Sequence, residues 1–351
     1  MKISVPGRIC LFGEDLDYTN LEVITAAINL RMYIKGDFSS NDYMHVKFLD
    51  IKQEDKFHIN QEVEYRKKRE YIRSVFNVLN RNGYHINKGV KAEIWSELPI
   101  GRGLSSSSVL TIAWIAFLNE LFQFGLKKEE IAELAYMSEV LENNEGGGNM
   151  DHYACSLGNG MYMDCSTRKR EMIDFSYLAN CIVIGDTNIV KKQLVHTDRK
   201  ININTGFGYF SKFLDFDVKT TTYEELEPFF SQIPEKPLSH ARAIIKMRDI
   251  TREAYKELTR KERDHEKIGQ LINDFHRELI RGFNNSTEMT EKLISESMKA
   301  GALGGKIIGS GFGGCVLIYC PEKQQEIANI IEKCGGKPYI VSIDEGIRRE
   351  D

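Results

Sequence analysis

The sequence predicts a two-domain protein of mixed α/β (α+β) class. A chain of 351 residues is long for a single hydrophobic core. Its first half alternates strand-like and helix-like segments, whereas long helical patterns follow after about residue 238. The chain then closes with a strand–turn–strand–helix–strand pattern. We place the domain change near residue 180, giving an N-terminal domain over 1–180 and a C-terminal domain over 181–351.

In the first domain, runs rich in β-branched and apolar residues predict strands, and apolar residues at helical spacing predict helices. Lys2–Val5 and Ile9–Phe12 resemble one strand interrupted by Pro6-Gly7, and Val23–Leu30 reads as a strand paired with Arg31–Phe38. Further elements are expected as strands over 44–49, 89–95 and 161–164, and as helices over 62–80, 109–122 and 128–143.

In the second domain, Cys181–Gly185 is a short apolar run typical of a buried strand. Residues 191–237 are polar and irregular, three prolines interrupt them, and no element is assigned there. The remaining elements are expected as helices over 239–256, 265–285, 287–300 and 323–334, and as strands over 304–308, 315–319 and 338–343.

Composition narrows the class of protein. Hydrophobic residues at 42% and charged residues at 28% are ordinary for a globular chain. A net charge of −4 argues against a nucleic-acid partner. No signal-like N-terminus or membrane-length apolar run is visible, so we expect no membrane partner. Seven scattered cysteines without a CxxC pair indicate reduced thiols and a cytoplasmic protein, and the histidine spacing gives no zinc site.

Residues 99–108 read P-I-G-R-G-L-S-S-S-S and precede an apolar helical run. Gly101 and Gly103 allow the backbone to approach a ligand closely. The serines stand where a helix begins, and unpaired N–H groups and the helix dipole favour an anion there, most often phosphate. No Walker pattern occurs in the chain. The alternative is a serine-rich N-cap on an ordinary amphipathic helix.

A second glycine-rich segment, G-S-G-F-G-G, spans residues 309–314. It matches G-x-G-x-x-G, but a strand rather than a helix is expected after it, which counts against a dinucleotide-binding loop. Taken alone, it is a tight strand-to-strand loop. Together with the serine-rich loop, it suggests glycine backbone closing over a nucleotide from a second domain.

Two further segments contain carboxylates that could bind a substrate or take part in catalysis. Glu14, Asp15 and Asp17 crowd one turn and could accept hydrogen bonds from sugar hydroxyls, although a solvated acidic turn is the alternative. Asp151 follows Gly146–Gly148 and could take the proton of an attacking hydroxyl, or could be a helix N-cap. Glu139, on the preceding helix, could reach a metal or lie on the surface.

In their order along the chain, these segments resemble the GHMP kinase superfamily, and within it the galactokinase branch. That branch opens with P-G-R-x-N-L-x-G-E-H-x-D-Y and closes with G-x-G-F-G-G-C, and residues 6–18 and 309–315 nearly reproduce both. The D-T-N at 186–188 also resembles a galactokinase segment. The resemblance covers most of the chain outside 191–237. It implies two α/β domains with the active site in the cleft between them.

The resemblance also implies a role for each motif residue. Asp151 would be the catalytic carboxylate facing the anomeric hydroxyl, and Arg8 would keep it ionised and offset phosphoryl charge. The substrate-binding residues would be Glu14, Asp15, Asp17 and Gly148. ATP would be bound by Gly101, Gly103, Leu104, Ser105, Ser106 and Ser107, with Gly311 and Gly313 in support. Ser107 and Glu139 would hold Mg²⁺.

Two departures concern the sugar. Asp15 stands where galactokinases carry histidine, and residues 195–198 offer no counterpart to the tyrosine found soon after D-T-N. We expect ATP-dependent phosphorylation of the anomeric hydroxyl of a hexose, galactose or a related sugar. The alternatives are a uronic acid, a heptose phosphate or a mevalonate-like acid, a non-catalytic sugar and nucleotide sensor, or an NAD-dependent oxidoreductase. An anionic substrate should come with a basic residue near the sugar, and Asp15 argues against one there.

Overall fold

The computed structural model describes residues 1–59, 62–190 and 195–351. They divide into two compact units, of which the first comprises Met1–Arg8, Ala27–Asn159 and Ile343–Asp351, and the second Ile9–Ala26 and Gly160–Ser342. Each unit is therefore built from separate stretches, whereas two contiguous domains meeting near residue 180 were expected. Residues just after 160 join the second unit because they pair in an antiparallel ladder with residues 22–26.

The secondary structure of the described residues mixes strands and helices throughout. The strands are β1 (Lys2–Phe12), β2 (Glu22–Phe38), β3 (Tyr43–Phe48), β4 (Gln53–His58), β5 (Val90–Ser96), β6 (Gly160–Asp164), β7 (Arg170–Ile173), β8 (Ile182–Asp186), β9 (Gly304–Ile307), β10 (Cys315–Tyr319), β11 (Lys337–Val341) and β12 (Arg348–Arg349). The α-helices are α1 (Tyr71–Arg81), α2 (Ser106–Phe122), α3 (Lys128–Tyr136), α4 (Met150–Leu157), α5 (Val195–Phe210), α6 (Tyr223–Leu226), α7 (Glu235–Leu258), α8 (His265–Phe283), α9 (Glu288–Lys299) and α10 (Gln324–Lys333).

The first unit combines a largely antiparallel sheet with helices α1–α4. The strand order is β12-β1-β2-β5-β3-β4, and β3 and β5 are the parallel neighbours. Helix α2 has no charged residue before Glu120 and is buried continuously over residues 111–119, with Trp114 and Phe117 stacked on each other. A helix that is apolar on all sides must be enclosed by protein. This burial fixes α2, and with it the serines at its N-terminus.

The second unit contains a four-stranded antiparallel sheet in the order β11-β8-β10-β9. Its core includes Val183, Leu293, Val316, Ile318 and Ile331. A smaller apolar cluster lies where α5, α6 and α7 meet. In the described part of the chain, no helix combines the length and the apolar character needed to cross a bilayer.

The paired strands expected at Val23–Leu30 and Arg31–Phe38 are wrong, because these residues form the single strand β2. No turn residue separates the two halves, and they pair with different strands, the first with β6 and the second with β5. Likewise, β1 runs without interruption through Pro6-Gly7. Proline is compatible with extended backbone, so its presence did not end the strand.

Two predicted helices and one unassigned segment also differ from the structure. The helix predicted over 62–80 begins only at Tyr71, and the helix predicted over 128–143 gives way after Tyr136 to a π-helical turn that ends at Leu141. Segment 191–237, which was left without an element, contains α5, α6 and the start of α7, while its first four residues lie outside the described residues. The aromatic and apolar side chains of the small cluster stabilise these helices despite the polar local sequence.

Candidate active site

Arg8 on β1 and Asp151 in the first turn of α4 form an ion pair in the first unit. The guanidinium donates from Nε to Asp151 Oδ1 at 2.7 Å and from Nη2 to Oδ2 at 2.8 Å. Its Nη1 donates to the carbonyl oxygen of Gly103 at 2.7 Å. One arginine therefore holds the carboxylate through two parallel bonds and also holds the backbone of the glycine–serine loop.

The Asp151 carboxylate is charged and still accessible. Burial opposes its ionisation, but the charge and hydrogen bonds of Arg8, together with the Ser105 hydroxyl, outweigh burial and lower the pKa of the carboxyl. The Asp151 side chain is 24% exposed, whereas that of Arg8 is 5% exposed. A ligand can therefore reach the carboxylate while its cationic partner stays enclosed.

Ser105 occupies the N-cap position of α2 without capping the helix. Its backbone is left-handed (φ 61°, ψ 35°), and its side chain accepts no hydrogen bond from the first turn of the helix. Instead, Oγ donates to Asp151 Oδ2 at 2.7 Å. A left-handed serine is strained, and such strain is concentrated at functional sites. The interpretation of this serine as an ordinary N-cap is wrong, because its hydroxyl is used by the carboxylate.

The other loop residues surround the start of α2. Gly101 and Gly103 have φ values of 70° and 98°, and the Gly101 N–H donates to Ser106 Oγ at 3.2 Å. Leu104 is fully buried, and Ser107 is half-buried in the first helical turn. The first N–H groups of a helix have no intrahelical acceptor and lie at the positive end of its dipole. The loop and helix are thus suited to bind an anion.

Glu139 lies buried in the π-helical turn that follows α3. Its Oε2 is 2.7 Å from Nε2 of His152, a residue that the sequence analysis did not single out. Among the residues described, no group of three or more His, Cys, Asp or Glu side chains is placed to hold a metal. Mg²⁺ is commonly held by one or two protein oxygens plus substrate phosphates. The carboxylate of Glu139 and the hydroxyl of Ser107 are oxygen donors that suit this ion.

In the second unit, Glu14 is paired with a buried cation. Its Oε1 accepts from Nζ of Lys306 on β9, a side chain with 0% exposure. The same ammonium donates to the carbonyl oxygens of Cys10 and Ile307, each at 3.0 Å. Within the described residues, the buried Oε2 of Glu14 has no hydrogen-bond partner. Glu14 therefore keeps one acceptor atom for which the protein supplies no donor.

Asp15 is paired with a second buried cation. Its backbone is left-handed at φ 65°, Oδ1 accepts from the Tyr18 hydroxyl at 2.6 Å, and Oδ2 accepts from Nη1 of Arg199 on α5. Nη2 of Arg199 donates to the Ser310 carbonyl at 2.9 Å, and the guanidinium lies 4.3 Å from the centroid of the Phe283 ring. Arg199 therefore connects the acidic turn to the second glycine-rich loop.

That glycine-rich loop joins β9 to β10, strand to strand, without the helix that a dinucleotide fingerprint requires. Gly311 and Gly313 have φ values of 78° and 113°, and Phe312 between them is also left-handed. The Phe312 N–H donates to the Asn285 carbonyl at 2.6 Å, and a Cβ on Gly311 would lie 2.4 Å from that oxygen. Both the conformation and the close approach require glycine at position 311.

The remaining predicted substrate residues are Asp17 and Gly148. Asp17 is 8% exposed, and its Oδ1 accepts from the Tyr18 N–H at 2.9 Å. Gly148 is half-buried, just before α4. The first unit therefore holds Arg8, Gly101, Gly103, Leu104, Ser105, Ser106, Ser107, Glu139, Gly148 and Asp151, and the second holds Glu14, Asp15, Asp17, Gly311 and Gly313.

Lys306, Arg199 and His152 were not predicted as site residues from the sequence. Lys306 had a visible signal, because it is the one charged residue in the run G-G-K-I-I-G. Arg199 had none, since its segment could not be matched and its partner lies 184 positions away. His152 is 13 positions from Glu139, and only the path of the chain after the π-helical turn brings them together.

Comparison with known proteins identifies the family of this chain. The family models "GHMP kinases N terminal domain" and "GHMP kinases C terminal" match residues 70–159 and 254–337. The chain is 31% identical to the mevalonate kinase of Thermococcus sibiricus over 362 residues, covering 99% of this chain and 98% of that protein. The chain belongs to the GHMP kinase family. A galactokinase galactose-binding signature also matches residues 2–36 of this GHMP kinase.

Relatives of this GHMP kinase include galactokinases as well as mevalonate kinases. The galactokinase of Thermococcus kodakarensis is 28% identical, covering 90% of this chain and 88% of that protein. Lactococcus lactis galactokinase complexed with galactose shares its fold with a TM-score of 0.88 (23% identity, 99% and 94% of the two chains). Methanococcus jannaschii mevalonate kinase does so with a TM-score of 0.75 (21% identity, 98% of each chain).

The expected family and two-domain α/β fold are therefore confirmed. The protein is an ATP-dependent phosphotransferase with an alcohol group as acceptor. The names of its relatives specify different acceptor alcohols, mevalonate and galactose. Family membership alone therefore does not identify the acceptor of this enzyme, which has to be inferred from the site.

Proposed function

We propose that this GHMP kinase transfers the γ-phosphoryl group of ATP to the anomeric hydroxyl of a hexose, galactose or a closely related sugar, giving the sugar 1-phosphate. The match of the galactose-binding signature to residues 2–36 carries this proposal, because that stretch contains Arg8 and the whole acidic turn. The unpartnered Oε2 of Glu14, buried among the described residues, supports it, since a sugar hydroxyl is a donor that would satisfy this oxygen.

In the proposed reaction, Asp151 orients the attacking hydroxyl. Its Oδ2 accepts from Arg8 and Ser105, whereas the hydrogen bond to Oδ1 comes from Arg8, so Oδ1 has more capacity for the substrate proton. A carboxyl with a lowered pKa is a weak base. Its contribution is therefore mainly to position the hydroxyl and receive the proton late, as suits a loose phosphoryl-transfer transition state. Arg8 offsets negative charge in that state.

The nucleotide would be bound by the loop over residues 101–107 and by the first N–H groups of α2. Ser107 and Glu139 would hold Mg²⁺, which supplies neutralisation of the phosphate oxygens when bound. Arg8 ties this loop to the reacting carboxylate through its bond to the Gly103 carbonyl.

We also propose that the enzyme works in the cytoplasm on a small sugar, with neither nucleic acid nor membrane as partner. The seven cysteines are scattered along the sequence without a CxxC pair, and six of them are buried. Such a pattern is typical of reduced thiols in a reducing compartment. The acidic net charge of −4 fits a small-molecule enzyme better than a nucleic-acid binder.

A coupled ADP-release assay with MgATP tests the activity. D-galactose, related hexoses, D-galacturonate, a heptose phosphate and mevalonate form the substrate panel, and ³¹P NMR locates the phosphate on the product. We expect turnover with a neutral hexose and phosphate at C1. Asp151→Asn should bind sugar but turn over about 10²–10⁴-fold more slowly. No turnover with any sugar would refute the proposal, and equal inertness of both proteins with retained binding would indicate a sensor.

A second candidate is a mevalonate-like hydroxy acid as acceptor. The observation that favours it is 31% identity with the Thermococcus sibiricus mevalonate kinase across 99% of this chain, against 28% across 90% for the Thermococcus kodakarensis galactokinase. The same assay decides between them. Turnover of mevalonate with none of the hexoses would replace the sugar as the proposed substrate.

A further inference from the structure

We propose that the buried ion pairs Glu14–Lys306 and Asp15–Arg199 determine substrate specificity, because each cation is already paired with a carboxylate of the acidic turn, so that the turn accepts uncharged polyhydroxy compounds and rejects carboxylic acids. This inference rests on the proposed function and narrows its substrate class. Neither cation belongs to the motifs that indicated the family. Both are contributed by elements of the second unit far along the chain from the turn, α5 and β9.

Lys306 has no proton left for a substrate. An ammonium group carries three donors. Its acceptors are Oε1 of Glu14 and the carbonyl oxygens of Cys10 and Ile307. With 0% exposure of its side chain, the cation is enclosed by these partners. A carboxylate on a substrate would have to displace one of them in order to bind it.

Arg199 is balanced in the same way by Asp15. The guanidinium donates to the Asp15 carboxylate and the Ser310 carbonyl, packs on the Phe283 ring, and is 2% exposed. A basic residue of the kind that an anionic substrate requires is thus present, but it has a built-in counter-ion. A substrate carboxylate placed here would meet Asp15, and like charges in a site of low dielectric repel strongly.

The free acceptor on Glu14 gives an independent reason to expect hydroxyl groups. Its Oε2 is buried in the described structure with no donor from the protein, and a buried polar atom without a partner is costly. A hydroxyl can donate to this oxygen, whereas an ionised carboxylate only accepts. The turn therefore requires donors from its ligand and leaves no uncommitted charge on Lys306 to attract an anion.

Asp15→Asn tests this directly, because the amide has the shape of the carboxylate and lacks its charge. Arg199 would then be a buried cation without a counter-ion, which is strongly unfavourable until an anion binds. D-galacturonate and D-galactose are matched probes that differ by a carboxylate at C6. We expect the affinity for galacturonate relative to galactose to rise about tenfold or more, equivalent to about 1.4 kcal/mol.

The double variant Asp15→Asn/Arg199→Met separates charge from packing. Since it removes both charges, the affinity ratio should return to within about threefold of the wild-type value. Asp55→Asn is the matched control, because Asp55 accepts from Arg73 in another buried pair, at 2.9 and 3.1 Å in the first unit. It should lose stability and leave the ratio unchanged. Isothermal titration calorimetry with each sugar measures the affinities, and circular dichroism checks folding.

Three results would overturn the inference. They are a folded Asp15→Asn variant that gains no affinity for galacturonate, a double variant that gains as much as the single one, and a wild-type enzyme that binds both sugars equally. If Asp15→Asn does not fold, Glu14→Gln tests the same reasoning at Lys306, with the same expected gain. Absence of galactose phosphorylation by the wild type would defeat the proposed function alone, because the gain of galacturonate binding is read separately.

Discussion

Replacing Arg8 with methionine should separate the two roles given to this residue, structural and catalytic. The substitution removes the two hydrogen bonds to Asp151, of 2.7 and 2.8 Å, the hydrogen bond to the Gly103 carbonyl, and the charge that balances Asp151. Removing one partner from a buried ion pair costs about 3–5 kcal/mol. Because the Asp151 side chain is 24% exposed and Ser105 still donates to it, we expect about 3 kcal/mol, the lower end of that range. A typical stability of about 5–15 kcal/mol leaves the variant folded.

The effect of Arg8→Met on stability and on activity should depend on pH in a defined direction. In the wild type, burial opposes ionisation of Asp151, and Arg8 together with the Ser105 hydroxyl outweighs burial and lowers the pKa of the carboxyl, so loss of Arg8 should raise that pKa. A lowered carboxyl pKa stabilises the folded state above the unfolded pKa, and this stability is lost as the pH falls through the folded pKa. The loss of folding stability caused by Arg8→Met should therefore have its full size at neutral pH. It should become smaller below about pH 4, the pKa of aspartate in the unfolded chain. The acidic limb of kcat/KM should move to higher pH.

Urea unfolding at neutral and acidic pH measures the first effect, and pH profiles of kcat/KM measure the second. We expect kcat to fall about 10²–10³-fold, as when one preorganised donor is lost. Arg73→Met is the matched control, since Arg73 is 6% exposed and its partner Asp55 11% exposed. It should lose stability and keep the pH profile. An unshifted acidic limb in Arg8→Met, or activity within about twofold of wild type, would contradict both roles of Arg8.

Three further substitutions test other parts of the site. Ser105→Ala removes a hydrogen bond to the Asp151 carboxylate, so kcat should fall about tenfold. The melting temperature should change little, because the hydroxyl does not cap α2. A large decrease in melting temperature with normal kcat would contradict this. Gly311→Ala would place a Cβ 2.4 Å from the Asn285 oxygen at φ 78°, so thermal unfolding should show a loss of at least about 1–2 kcal/mol; a variant as stable as wild type would contradict it. Lys306→Met leaves a buried carboxylate without its cation and should cost about 3–5 kcal/mol in urea unfolding, and a neutral effect would show that the pair is not needed for folding.

Local sequence was sufficient to predict many of the secondary-structure elements of the fold. The apolar run after the serines predicted a helix over 109–122, and α2 is continuously buried over 111–119. The same local reasoning divided β2 into two strands that meet at Leu30 and Arg31, although the strand is continuous there. It also left α5 unassigned, because the aromatic side chains that stabilise it pack against α6 and α7 rather than within the helix. Secondary-structure propensity reflects a residue and its neighbours in the sequence, whereas β2 and α5 depend on contacts with residues that are distant along the chain.

The family motifs, the acidic turn and the glycines at 101, 103, 311 and 313 could be identified from local sequence, and these glycines adopt left-handed backbone. The hydrogen bond from the Ser105 hydroxyl to Asp151, and the pairing of Glu14 and Asp15 with buried cations, follow from tertiary packing. They could not be predicted because the residues that form them are far apart along the chain. A backbone conformation depends on the residue and its neighbours, but an ion pair spanning 184 or 292 positions exists only once packing brings both charges out of water together.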